Sequence, residues 1–247
     1  MTGEPVIEHM ASVGSTNAEM SARLGGGHTP VEGFWLVADR QTAGRGRLGR
    51  EWQDGAGNFM GSTVVFPAHG DPPAHTLALV SAIAVFDTVA HMIGGRALLQ
   101  LKWPNDLLLN RAKLAGILLE KVGEGIVIGI GVNLANAPDI PGRSVVSLAD
   151  QGHRICRDTF ALHLAAELAR RVGQWREQGL APIITQWDQR GPPPGTRIRA
   201  ALSEDKTLDG RFAGLNQDGS LQIRLDDGTL HAIHAGEVSL LGGDEGE

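Results

Sequence analysis

Asp39–Trp52 reads DRQTAGRGRLGREW, three glycines set among Arg45, Arg47 and Arg50 directly after the apolar run 34–38. Gly44-x-Gly46-x-x-Gly49 matches the letter of a dinucleotide fingerprint, which would make the chain a doubly wound parallel α/β protein. That fingerprint needs a helix directly after its glycines. The residues that follow, REWQDGAGN at 50–58, are too polar and glycine-rich for the packed first turns of a helix. A Walker-type loop is excluded because no Gly-Lys-Ser/Thr closes the run. Glycine lets backbone approach a ligand closely, and arginine forks fit carboxylate or phosphate oxygens. The stretch therefore reads as an anion-binding loop, and taken alone it leaves a solvated basic loop open as the alternative.

Upstream, Val6–Met10 reads as a strand and GSTNAEMSARLGGG at 14–27 as a helix. Thr16 with Glu19 fits a capping box, and Gly25 to Gly27 fit a helix end. Ser15, Thr16 and Asn17 are then capping residues, or exposed hydroxyls and N–H groups for a small polar ligand. Downstream, NFMGSTVVFP is a strand ended by Pro67, and residues 74–93 are apolar nearly all round, which predicts a buried central helix. Leu99, Leu101 and Trp103 alternate with Gln100 and Lys102, so Lys102 points away from the apolar face. Asp106–Leu109 and Lys113–Val122 are further strands joined tightly by NRA. Lys113 shares a face with Ala115, Ile117 and Leu119, where an ammonium needs an anion or carboxylate, or else snorkels to water.

In GIVIGIGVNLAN at 125–136, Val127, Gly129, Gly131 and Asn133 fall on one face of a buried strand. Two glycines in one file leave a groove for a ligand or for close packing. Residues 158–175 form an amphipathic helix and 182–190 a shorter one, before the linker GPPPG at 191–195. Beyond it, Asp-Gly pairs at 209, 218 and 227 predict hairpin turns of a small antiparallel barrel leaning on the larger body. The domain reading is 1–190, a linker at 191–195, and 196–247.

The 22 Lys and Arg against 28 acids, net charge −6, argue against a general nucleic-acid or membrane-surface binder. The arginine loop is then a local positive spot on an acidic body. The chain has no tyrosine, and Cys156 is its single cysteine, so a phenol mechanism and an internal disulfide are excluded. With no signal-like N-terminus, a reducing cytoplasm is the expectation. No apolar run approaches the roughly 20 residues that span a bilayer, and the 9 histidines show no metal-ligand spacing.

Taken in order, GRGRLGREW, KWPNDLLLNRAKLAGILLE and GIGVNLA resemble the motifs of the biotin protein ligases, over nearly the whole chain. The resemblance implies an α+β fold: a mixed, mainly antiparallel sheet packed on helices, like a class II synthetase catalytic domain, with a small SH3-like C-terminal barrel. It implies that a biotin carboxylate attacks the α-phosphate of ATP, and that biotinyl-5′-AMP then acylates one lysine of a biotin carboxyl carrier protein domain. Like-charge repulsion between carboxylate and polyphosphate must be offset by fixed cations and Mg2+.

Carried over by position, Ser15, Thr16, Asn17 and Gln41 would hold the biotin head, and Gly116 is a further biotin-binding candidate. Gly44, Arg45, Gly46 and Arg47 would close over biotin and the adenylate phosphate, in a loop mobile without ligand. Arg50 would reach the nucleotide phosphates, Trp52 shelter the adenine side, and Lys113 meet the biotin carboxylate. Lys102 and Asn105 would handle phosphates, Asp106 the magnesium, and Asn133 adenine; Arg47, Lys113 and Lys102 are the catalytic candidates. Leu48 departs from the pattern, standing where an arginine often sits. Little chain precedes the first motif, so operator-DNA binding is not expected, and either monomer or homodimer fits. The rivals are a lipoate ligase of the same fold and a biotin-binding sensor without transferase activity.

Overall fold

The computed structural model describes residues 5–26, 30–96, 98–203 and 205–241. Seven strands form the larger sheet: β1 (Ile7–Met10), β2 (Trp35–Ala38), β3 (Phe59–Val65), β4 (Leu99–Lys102), β5 (Asp106–Leu109), β6 (Ala112–Val122) and β7 (Gly125–Val132). Their order is β1-β2-β3-β7-β6-β5-β4, with β1 and β2 parallel and every other pair antiparallel. This is the mixed, mainly antiparallel sheet expected.

Helix α1 (Thr16–Gly25) covers one face, packing on β2, β3, β6 and β7. Helices α2 (Leu77–Met92), α3 (Arg157–Gln178) and α4 (Ala181–Asp188) form the layer on the other. The two faces explain the apolar pattern of the central strands. In β7, Ile128, Ile130 and Val132 enter the main core, while Val127 packs with Met20 and Leu36 beneath α1. Phe59 joins sheet to helix layer, its ring 5.3 Å from Phe160 and 6.0 Å from Trp35. One expectation needs amending: the helical stretch Ala74–Met92 is long and apolar enough to cross a membrane by composition. Its apolar window is 72% buried inside the fold, between sheet and α3.

One reading at the first helix changes. Ser15, not Thr16, caps α1, accepting a hydrogen bond from the Ala18 N–H at 3.5 Å. The backbone is extended at Ser15 and already helical at Thr16, which leaves the Thr16 hydroxyl free to point at Gln41. Gly26 ends the helix, and Gly27 lies outside the described residues.

The C-terminal strands β8 (Arg197–Ala201), β9 (Thr207–Leu215), β10 (Leu221–Arg224), β11 (Leu230–Ile233) and β12 (Glu237–Leu240) form a separate antiparallel sheet, ordered β11-β10-β9-β8-β12. The Asp-Gly pairs at 218 and 227 sit at turns, with Gly219 and Gly228 at φ +83° and +86°. The third pair does not. Asp209 and Gly210 lie inside β9, opposite Arg199 and Ile198. A Cβ on Gly210 would sit 2.5 Å from the Arg224 carbonyl oxygen, so this glycine serves a close strand approach. The sheet leans on the larger body as expected: Trp187 of α4 meets Phe212 at 6.1 Å, and Trp103 Nε1–H donates to the Gly219 carbonyl at 3.2 Å.

Trp187 is fully buried between the two units. Trp187→Ala should lower unfolding stability by about 3–5 kcal/mol through lost burial and the cavity left behind. Urea unfolding followed by circular dichroism would measure this; a loss below about 1 kcal/mol would mean the contact is not a structural tie.

Candidate active site

A cavity of ≈ 630 Å³ opens between the α1 face of the larger sheet, the arginine loop and β12. Gly116 of β6 and Gly129 and Gly131 of β7 form its floor. Side chains from above take the place of Cβ atoms there. A Cβ on Gly129 would sit 2.1 Å from Asn17 Oδ1, and one on Gly131 would sit 2.3 Å from the Trp52 ring. Trp52 also overlies Gly116, and its Nε1–H is buried without a partner, which leaves a donor for a ligand to satisfy.

One end of the cavity presents the neutral polar groups of Thr16, Asn17 and Gln41. The N–H of Thr16 donates to Gln41 Oε1 at 2.7 Å, and the Thr16 hydroxyl lies 3.1 Å from the same oxygen. Behind them, Ser62 Oγ lies 2.8 Å from Thr16 Oγ1 and 2.6 Å from Asn17 Oδ1, while Asn17 Nδ2–H donates to Glu120 at 2.7 Å. Gln41 is held in place by its N–H bond to Asp54 and a short parallel bridge to Val13.

The other end is cationic. Asp106 is buried, with Lys113 Nζ at 2.6 Å and Lys102 Nζ at 3.0 Å. Burial pushes the Asp106 carboxyl up, but Lys113 and then Lys102 more than offset this and hold it below the usual carboxylate range. Lys113 is not on the face of Ala115, Ile117 and Leu119. Leu107 pairs with Ala115 but Leu108 with Lys113, so β6 carries one extra residue here. That irregularity turns Lys113 onto the cavity side, where its Nζ lies over Gly116, 3.2 Å from where a Cβ would stand.

The arginine loop folds back on itself: the Trp52 N–H donates to the Gly44 carbonyl, and the Gly46 N–H to the Arg50 carbonyl. Gly44 does not line the cavity. It lies beneath Trp52, where a Cβ would meet the Trp52 carbonyl oxygen at 2.3 Å. Leu48 is left-handed (φ 56°) and 72% exposed, pointing away from the site. Arg50 forks onto Glu237 of β12. Arg47 donates to Asn105 Oδ1 at 3.1 Å and to the Gly236 carbonyl at 3.2 Å. Burial lowers the Arg47 pKa from the ordinary arginine value because its direct partners are neutral, so an anion arriving there meets a poorly compensated charge. Asn133, at the far end of the floor, donates from Nδ2 to the Val146 carbonyl at 3.2 Å.

Apart from Gly44, every residue singled out in the sequence as a site candidate lines this one cavity. Arg111, Arg143 and Glu237 join the lining without having been foreseen, and Ser62 and Glu120, which do not line it, lie just behind it. Ser62 was readable only as a strand residue, and Glu120 only as the last residue of the motif at 102–120, with no role attached. The lining holds seven cationic and three acidic side chains on a chain of net charge −6, which suits a polyanionic ligand. Asp106 does not fit a magnesium site of the protein's own, since both its oxygens face ammonium groups and no cluster of three metal-ligating side chains occurs among the described residues.

A model of the Biotin/lipoate A/B protein ligase family matches residues 26–133, and one of the Biotin protein ligase C terminal domain matches 195–241. The chain is 40% identical to a biotin–acetyl-CoA-carboxylase ligase from Paracoccus denitrificans, across 87% of this chain and 92% of that protein. The chain belongs to the biotin protein ligase family. A second ligase of that name, from Mycobacterium tuberculosis, is 34% identical over 94% of this chain and 88% of its own length. The biotin protein ligase of Aquifex aeolicus, solved with biotin and ATP, superposes with a TM-score of 0.83 at 25% identity, covering 96% of this chain and 99% of that one.

In this biotin protein ligase fold the Lys102–Asp106–Lys113 triad ties β4, β5 and β6 together. Its stabilisation is present above the unfolded-state pKa of Asp106, about 3.9, and is lost as pH falls through the lower folded-state value. Asp106→Asn should therefore cost most stability near neutral pH, with the gap to wild type narrowing below about pH 4 in urea unfolding. A gap independent of pH would exclude a charge-based role.

Proposed function

We propose that this chain activates biotin with ATP to biotinyl-5′-AMP and transfers the biotinyl group to a lysine of a carboxylase's biotin carrier domain. The observation that carries the reading is the two-ended cavity: a neutral donor–acceptor end suits a ureido head, and a cationic end suits a carboxylate meeting a triphosphate. The side-chain-free floor between them suits the slender chain that links the two. A cytoplasmic setting agrees with the single cysteine.

In this mechanism the residues act by placing charge rather than by covalent attack. Lys113 receives the biotin carboxylate and brings it in line with the α-phosphate. Lys102, Arg47 and Arg50 spread the phosphate charge and stabilise the negative charge that builds there. Arg50 must exchange Glu237 for phosphate oxygens, and Arg47 exchanges two neutral partners for an anion. Asn133 offers an amide edge to adenine. Once the loop covers the mixed anhydride, water is excluded until a carrier lysine enters. Magnesium, which the reaction takes up with its nucleotide, is given no residue here.

ATP–pyrophosphate exchange with biotin, with lipoate and with neither is the direct test. Exchange with biotin alone is expected, because a dithiolane ring would leave Thr16, Gln41 and Asn17 unanswered at the polar end. Exchange with lipoate alone would transfer the reading to the sister activity, and exchange with neither would favour a sensor. Lys113→Ala should slow adenylation by about 30- to 150-fold, the loss of a charge-assisted contact of roughly 2–3 kcal/mol in the transition state; an unchanged rate would remove Lys113 from the chemistry. Arg47→Gly should raise the amount of biotinyl-AMP released to solution, measured by chromatography of the reaction mixture.

A further inference from the structure

Glu120 lines no part of the cavity, yet it fixes the chemistry of the cavity's polar end. Its carboxylate can only accept, so Asn17 must present Nδ2–H to it, at 2.7 Å. The amide orientation is then decided, and Asn17 Oδ1 faces Ser62 Oγ at 2.6 Å. From there a row of four oxygens runs through Ser62 Oγ and Thr16 Oγ1, 2.8 Å apart, to Gln41 Oε1, 3.1 Å further on. Gln41 cannot turn its amide over, because the Thr16 N–H needs the same Oε1 at 2.7 Å.

Three oxygen–oxygen contacts therefore have only two hydroxyl protons to share, one on Ser62 and one on Thr16. Ser62 must give its proton to Asn17, whose Oδ1 can only accept, so the single Thr16 proton serves either Gln41 Oε1 or Ser62 Oγ and one of these two contacts is left without a proton. Thr16 and Gln41 face the cavity. We propose that Glu120 is a positioning residue that keeps this end of the cavity one proton short, so that it selects a ligand head carrying N–H donors. The inference rests on the proposed biotin substrate, whose cyclic urea carries two such donors.

The opposite arrangement is available only without the carboxylate. If residue 120 could donate to Asn17 Oδ1, the Asn17 amide would turn and give Nδ2–H to Ser62. Ser62 would then donate to Thr16, Thr16 to Gln41, and the row would be complete without a ligand. Arg45 NH1, 3.9 Å from the second Glu120 oxygen, is the other charged group near this carboxylate and cannot replace Asn17 in this role.

Glu120→Gln introduces such a donor with little change of shape. Titration calorimetry on the full chain without ATP would compare biotin with a biotin methylated on both ureido nitrogens. The variant should weaken biotin about tenfold or more, while the methylated analogue changes by less than about threefold, so the discrimination ratio collapses. The KM for ATP and kcat at saturating biotin should hold. In an Asn17→Ala background the same substitution should add nothing, since its effect passes through Asn17. Equal weakening of both ligands, or a full additional loss in that background, would overturn the inference and indicate a merely structural role. If wild type binds biotin and Glu120→Gln binds it equally well, this inference alone fails; if wild type binds no biotin, the proposed function fails with it.

Discussion

The site depends on a stretch of sheet that carries no side chains. Gly116, Gly129 and Gly131 sit on adjacent strands; the atoms above Gly129 and Gly131 are closer than any Cβ would permit, and those above Gly116 would leave one a tight fit. A single methyl at Gly131 would expel the Trp52 ring, and one at Gly129 would displace Asn17. Both neighbours belong to segments that bind: α1 with its cap, and the arginine loop. The glycines thus set how deeply those segments reach and where a ligand can lie. The opposite face of β7 carries Ile128, Ile130 and Val132, so the bare face costs the fold little: the strand is still anchored in the main core.

Charge is arranged with the same economy. A body of net charge −6 sets seven of its 22 Lys and Arg round one cavity, and four of these, Arg45, Arg50, Lys102 and Lys113, are paired with carboxylates before any ligand arrives. Asp106 serves Lys102 and Lys113, and Glu237 serves Arg50, so the cations are pre-placed without being left to repel one another. Arg47 is the exception among the loop arginines: its direct partners are a side-chain amide and a carbonyl. Such a group gains most when an anion replaces neutral partners. The C-terminal sheet takes part in this, since Gly236 and Glu237 lie at the start of β12. That small unit therefore borders the site as well as packing against the larger body.

Much of this was legible along the chain. The helix at 74–93 and the strands around it follow from apolar period and from Pro and Gly punctuation, because those signals are local. The candidate residues were legible as well, since Gly-Arg-Gly-Arg, Lys-Trp-Pro-Asn-Asp and the Gly-x-Gly strand each combine residue types that ordinary packing does not call for. Where the reading went astray, the deciding partner was distant. Asp209-Gly210 looks like a turn, yet Gly210 answers the Arg224 carbonyl across the sheet. Thr16 fits a capping box, but Ser15 already has the extended backbone of a cap, and Gln41, 25 residues away, takes Thr16.

By itself, then, the sequence determined the class of fold, the order of its elements and a set of candidate residues that, Gly44 apart, meet in the cavity. Tertiary structure alone decided how those side chains face. Strand alternation put Lys113 toward the core, and one extra residue in β6, visible only through its pairing with β5, turned it to the ligand side. Ser62 and Glu237 carry no motif, and Glu120, although it closes the motif at 102–120, was given no role by it; all three entered the account only when strands far apart in sequence came into register. The reason is physical: periodicity and turn chemistry act between neighbours along the chain, whereas hydrogen-bond direction and charge pairing depend on which distant groups folding brings within about 3 Å.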